Sequence, residues 1–198
     1  MNGLPLTNFG IWYHDIQLLA PTVLAISQAS QWDLQSGGLC GVHFNSNSGE
    51  SQLDAYLGNR IMVDYFLPQR WGSGRLFKLD IRRPEDLAQI PLWVKRYVER
   101  GNVETPEQTL KWVKDHRMWL AMLCVINAHF PDWGLSHSEH WAELVTPEKN
   151  RPWFIRLEKG HNEGHMTLFY LFYKLPKRMG WRDFSHPSQM DRWIREVL

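Results

Sequence analysis

Hydrophobic and polar positions along the chain change period several times, and each change marks an element. Residues 8–29 place Ile16, Leu19, Val23 and Ile26 at helical spacing, with a break expected at Pro21. Residues 33–50 are rich in Gly, Ser and Asn and read as an irregular loop. Leu53, Tyr56, Leu57, Ile61 and Tyr65 restore a helical period over 51–66, ended by Pro68 and the Gly72-Ser73-Gly74 triplet. From Arg75 to Arg82 the pattern alternates, which predicts a strand. A helix is expected over 84–100, opened by Pro84, Glu85 and Asp86. Thr105-Pro106-Glu107-Gln108 is a capping box for another that runs to about His129 and is buried in its second half. His137 and His140 are expected in a loop after Pro131 and Gly134. Residues 153–158 and 165–173 are apolar, β-prone runs around a polar turn, hence a β-hairpin. Met190, Trp193, Ile194 and Val197 make 188–198 an amphipathic helix.

This order predicts an α+β fold, a small and mainly antiparallel sheet covered by helices. The 198 residues and 43% hydrophobic content suit a single domain. Within it, 1–70 reads as a mostly helical N-terminal extension and 75–198 as the α+β core. No internal repeat is visible.

Net charge is +1, far from the strongly basic balance of a nonspecific DNA-coating protein. Two cysteines, Cys40 and Cys124, provide no disulfide framework and point to a reducing compartment. The N-terminus lacks a signal-peptide pattern, and the apolar stretch 117–130 is too short to span a bilayer. A cytoplasmic protein without a membrane partner is expected. Eleven Trp are many for this length and serve packing, or stacking on bases or sugars.

Candidate chemistry gathers at the hairpin. Alternation puts His165 and Thr167 on one face, with Glu158 across the turn, and His161 lies within that turn. Glu158, His161 and His165 together offer one carboxylate and two imidazoles to a divalent metal, Mn²⁺ or Mg²⁺. His137 and His140 offer a second, zinc-like combination with His161 and His165, although they lie outside any zincin pattern. Arg156 and His161 also have the Arg-x-x-x-x-His spacing of a helical ribonuclease family, but in a strand and turn. Lys174, Lys177, Arg178, Arg182, Arg192 and Arg195 are interleaved with Tyr173, Trp181 and Trp193, a composition that suits single-stranded nucleic acid.

The strand Leu76–Arg82, the strand Trp153–Glu158, the Gly164-His165-Met166-Thr167 segment and the trailing helix with Trp193 resemble the replication initiators of rolling-circle elements. The likeness is to the inovirus-type and related plasmid and prophage proteins and covers about 75–198. It implies nucleic-acid binding in the replication of a mobile genetic element, His165 as a metal ligand with Glu158 beside it, and metal-dependent nicking. Two features depart from that pattern. The second His of the family's His-hydrophobic-His motif is Thr167 here, and no Tyr follows the trailing helix to act as nucleophile. The resemblance therefore implies a degenerate relative.

Two other classes stay open. Gln35-Ser-Gly-Gly-Leu-Cys40 resembles the nucleophile region of papain-like and Josephin-type thiol hydrolases, with Gln35 at the oxyanion, Cys40 as thiolate and His140 or His165 as base. A non-catalytic interaction protein, one subunit of a larger assembly, is the third.

Overall fold

The computed structural model describes residues 7–29, 33–45, 52–66, 75–97, 107–138, 140–147, 154–160, 164–172 and 178–197. The fold is α+β. Five α-helices are described: α1 (Phe9–Ile16), α2 (Leu19–Ala29), α3 (Gln89–Tyr97, preceded by a 3₁₀ turn Pro84–Ala88), α4 (Glu107–His129) and α5 (Pro187–Val197). The strands are β1 (Asp33–Gly37), β2 (Gly41–Asn45), β3 (Gln52–Leu57), β4 (Ile61–Phe66), β5 (Arg75–Ile81), β6 (Gly134–His137), β7 (Trp141–Val145), β8 (Phe154–Lys159), β9 (Met166–Phe172) and β10 (Arg178–Phe184).

They form two separate antiparallel sheets, β1-β2-β3-β4-β5 and β10-β9-β8-β7-β6, each an uninterrupted meander. The chain divides into two compact units, Tyr13–Lys114 and a second made of Met1–Trp12 with Asp115–Leu198. The expected helical extension over 1–70 is thus helical only to Ala29, and four strands follow it.

Residues 51–66 are a hairpin, not a helix. Leu53 and Ala55 on β3, and Ile61, Val63 and Tyr65 on β4, alternate inward and are buried, while Gly58-Asn59 lies in the turn. Leu53, Ile61 and Tyr65 belong to both patterns, and Tyr56 and Leu57, which completed the helical one, are only half-buried, so apolar spacing alone did not separate the two. Residues 33–45 form a second hairpin whose glycines lie in and beside strands, and 134–145 a third.

In the first unit, α2 buries Leu19, Ala20, Val23 and Ile26, and the strands bury Val42, Phe44, Leu53, Ala55, Ile61, Val63 and Ile81. The Ser27 hydroxyl meets that of Thr109 at 3.0 Å, and the Trp112 indole N–H donates to Gly38 O at 2.9 Å, tying the start of α4 into this unit. In the second unit the buried strand residues are Leu135, Ala142, Leu144, Ile155, Leu157, Met166, Leu168 and Phe184. Trp119 is fully buried there, and its indole N–H donates to Leu157 O at 3.4 Å. Trp12 meets Trp119 edge-on at 5.7 Å, and Thr7 pairs with Leu135 through both backbone bonds.

The two units repeat one plan: a helix, a five-stranded meander and a closing helix. Their registers correspond. Val42↔Ala55 and Ile61↔Ile81 in the first match Ala142↔Leu157 and Met166↔Phe184 in the second. The last strand and closing helix carry the same short pattern, Asp80-Ile81-x-x-Pro84-x-Asp86-Leu87 and Asp183-Phe184-x-x-Pro187-x-Gln189-Met190. The capping bond corresponds as well. Arg82 N–H donates to Asp86 Oδ2 at 3.0 Å, and Ser185 N–H donates to Gln189 Oε1 at 3.2 Å. The halves share hydrophobic alternation and cap chemistry with almost no identical residues, so the repeat is invisible to sequence comparison by eye.

Candidate functional site

Strand alternation gives the second sheet an inner and an outer side. The inner side is the core just described. The outer side is read row by row from the register. One row runs Met179, Leu171, Phe154, Val145; the next Trp181, Phe169, Arg156, Glu143; the third Asp183, Thr167, Glu158, Trp141. Most of these side chains are half-buried, and the edge strand bears the two most open ones, Met179 at 79% and Trp181 at 63% exposure. An apolar surface that ends in such exposed side chains marks a docking site more often than an accident of packing.

Charge on this face is organised around Arg156. Its guanidinium donates to Glu143 Oε2 from Nε at 3.0 Å, reaches the same oxygen from Nη2 at 2.9 Å and lies 3.8 Å from Glu158. It stacks 4.3 Å above the Trp141 ring and 5.7 Å from that of Phe154. Thr167, buried, donates its hydroxyl to Asp183. Glu143 and Glu158 thus face one guanidinium, Asp183 lies on the same side, and the described residues of this face carry more acid than base. The corresponding position of the first sheet holds His43 and Asp54, 2.8 Å apart. A cross-strand base–acid hydrogen bond recurs there with the order of the two groups reversed, in polar surroundings: Gln52 donates to Asp54 at 2.7 Å, and the Tyr56 hydroxyl to the fully buried Asp64 at 2.7 Å. One plan therefore carries an aromatic outer face in one unit and a hydrogen-bonded polar one in the other.

The hairpin β8–β9 is as the sequence predicts. Gly160 N–H donates to His165 O at 2.8 Å and closes the loop. A Cβ on Gly160 would lie 2.7 Å from that oxygen, and Gly164 adopts φ +70°, so both glycines are required by the turn. Glu158 and Thr167 are direct cross-strand partners. His161, the middle member of the expected metal set, lies outside the described residues. Among the described residues no group of three His, Cys, Asp or Glu is placed to hold a metal ion. Of the alternative zinc set, His137 ends β6 with its ring 5.8 Å from Trp12, and burial lowers its pKa. His140 is exposed.

The basic cluster divides. Lys174 and Lys177 lie outside the described residues, and Arg178 begins β10. Arg182 is exposed on the opposite side of β10 from Trp181. Arg192 and Arg195 are exposed on α5, with Arg195 paired to Asp191 at 3.0 Å. Trp193 is a core residue, packed on Tyr170 and Phe184 at 5.1 and 5.7 Å. Trp181 is therefore the open indole of that cluster.

Cys40 is buried and precedes strand β2, its carbonyl accepting from Leu57 N–H at 2.9 Å. The helix N-terminus that would lower a thiol pKa does not follow it. Gln35 is on β1, in the same unit as Cys40, while His140 belongs to the other unit. The sequence-level reading missed Trp141, Phe154, Phe169, Leu171 and Met179 as a surface. The available signal was that β9 is apolar at both odd and even positions, more than a one-sided core requires.

The chain matches no family model, no curated protein and no solved structure. No helix among the described residues is long and apolar enough to cross a membrane.

Proposed function

We propose that the chain is a non-catalytic interaction protein, a subunit that binds another protein through the outer face of its second sheet. The observation that carries this reading is the aromatic and aliphatic surface of Trp141, Phe154, Phe169, Leu171, Met179 and Trp181, continuous across the register to an exposed edge strand. Its charge argues for the chemistry of the partner. Among the described residues of the face, three carboxylates against one guanidinium disfavour a phosphate backbone and favour a segment bearing Lys or Arg among apolar residues.

A nucleic-acid strand is the competing occupant, favoured by the exposure of Trp181 next to Arg182 in the chain. Indole N–H signals in heteronuclear NMR separate the two. The Trp141 and Trp181 signals shift on adding a Lys- and Leu-rich peptide, and Trp181→Ala weakens that peptide's binding. Neither signal moves on adding single-stranded DNA or RNA oligonucleotides at low salt. Shifts confined to the oligonucleotides overturn the reading in favour of nucleic-acid binding. Mn²⁺ broadening centred on Glu158 and His165 would restore the metal site.

A further inference from the structure

We infer that the partner enters as an extended segment that adds a strand to the free edge of β10, an inference that rests on the docking face just proposed. The two edges of the second sheet are treated differently. At β6 the edge is occupied, because Thr7 N–H donates to Leu135 O at 2.8 Å and Leu135 N–H to Thr7 O at 2.9 Å. At β10 no described residue pairs with the outer edge. An open edge presents a row of backbone donors and acceptors ready for another strand. Two of the usual protections, a Pro and a bulge, are missing from β10, although Arg182 supplies an inward-facing charge. The strand contains no Pro, and its pairing with β9 runs from Arg178↔Phe172 to Phe184↔Met166 without a bulge. Gly180 leaves room for the Tyr170 hydroxyl, which would lie 2.6 Å from an added Cβ. Large apolar side chains at 79% and 63% exposure stand at alternate positions of this edge.

The order of side chains along β10 specifies the occupant. Met179, Trp181 and Asp183 point outward, and Gly180, Arg182 and Phe184 inward. A strand added antiparallel meets Asp183 first, then Arg182, Trp181, Gly180 and Met179. Its complement, read from its own N-terminus, is basic, acidic, apolar, any residue, apolar. A second copy of this chain fits poorly. Twofold pairing centred on Gly180 sets Arg178 against Arg182 twice. Centring on Trp181 sets Met179 against Asp183 and Gly180 against Arg182, which leaves both charges without a counter-charge.

The test uses the full chain and a capped peptide containing Lys-Glu-Val-Thr-Val, with a peptide of the same composition in scrambled order as control. Amide hydrogen exchange over Met179–Phe184 is followed by NMR, with the Trp141 and Trp181 indole signals read in parallel. The ordered peptide is expected to slow exchange of the outward-pointing β10 amides by about tenfold or more at saturation, and the scrambled one to leave them unchanged. Backbone N-methylation at alternate peptide positions abolishes the effect, and so does Met179→Lys with Trp181→Lys, a pair exposed enough to leave folding intact. Indole shifts without β10 protection overturn strand addition and leave the docking face standing. No response from either probe to the ordered peptide overturns strand addition, and the docking face then stands or falls on the Lys- and Leu-rich peptide. Concentration-dependent protection of β10 without peptide, with a dimer in sedimentation, overturns it in favour of a second copy.

Discussion

Arg156 shows how much one side chain organises on a half-open sheet. It is about a third exposed and Glu143 less so, which places their pair between the surface and buried regimes. Arg156→Ala is expected to cost about 1–2 kcal/mol, since Glu143 loses its partner and the Trp141 ring its cover. A double-mutant cycle with Glu143→Gln should return part of that loss. The exchange Glu143→Arg with Arg156→Glu should keep most of the coupling, because the first unit already holds the reversed order in His43 and Asp54. His137 gives a pH signature. Burial depresses its pKa below 6.5, so the folded protein resists protonation while the unfolded chain accepts it. Stability attributable to His137 is complete above about pH 6.5 and is lost as pH falls through the lowered folded value. Thermal melts from pH 8 to 5 should show His137→Gln losing less stability on acidification than the parent. Equal slopes would exclude the effect.

At the level of elements, the two closing-helix caps make matched experiments. Gln189 accepts from the Ser185 N–H and hydroxyl at 3.2 and 3.1 Å, and Gln189→Ala should lower stability by about 0.5–1 kcal/mol at any pH. Asp86 is held below its ordinary carboxylate pKa, first by the Arg82 backbone N–H and then, against a desolvation cost, by Arg83. Its contribution is present above about pH 4 and disappears as pH falls through the lowered value. Asp86→Asn should therefore destabilise at pH 7 and match the parent near pH 2, which urea titrations at the two pH values can measure. The acidic start at Asp86 was legible in the sequence and the Gln189 cap was not; β5, α3, α4, the β8–β9 hairpin and α5 were legible because each is announced by local chemistry: Pro at a first helical position, an acidic first turn, a Gly-bounded β-prone run, an amphipathic period. Strands β1–β4, β6, β7 and β10 were not. β1, β2, β6 and β7 are short, and Gly37, Gly41 and Gly180, which signalled loop, serve close approaches to Trp112, Tyr56 and Tyr170 instead. The outer face was illegible for the same reason. Its rows exist only once five strands are set in register, and no single segment carries them.

For the whole molecule, the second unit is discontinuous in sequence, since it takes Met1–Trp12 with Asp115–Leu198. Trp12, almost fully buried against Phe9, Trp119 and His137, is the clearest stake in that arrangement. Trp12→Ala should cost about 3–5 kcal/mol. Hydrogen exchange should place the loss in β6–β10, with β1–β5 nearly unchanged, whereas uniform loss over both sheets would show that the units do not open separately. The helix-meander-helix plan is built twice, but only the second copy draws on a segment from before the first. That has a consequence for synthesis. At ordinary elongation speeds of about 5–20 residues per second, Thr7 to Trp12 leave the ribosome roughly 6–25 s before the strand at Leu135 that will bury them. For that interval Phe9 and Trp12 lack the partners that bury them while the first sheet is already emerging, and they offer an apolar segment to a ribosome-associated chaperone.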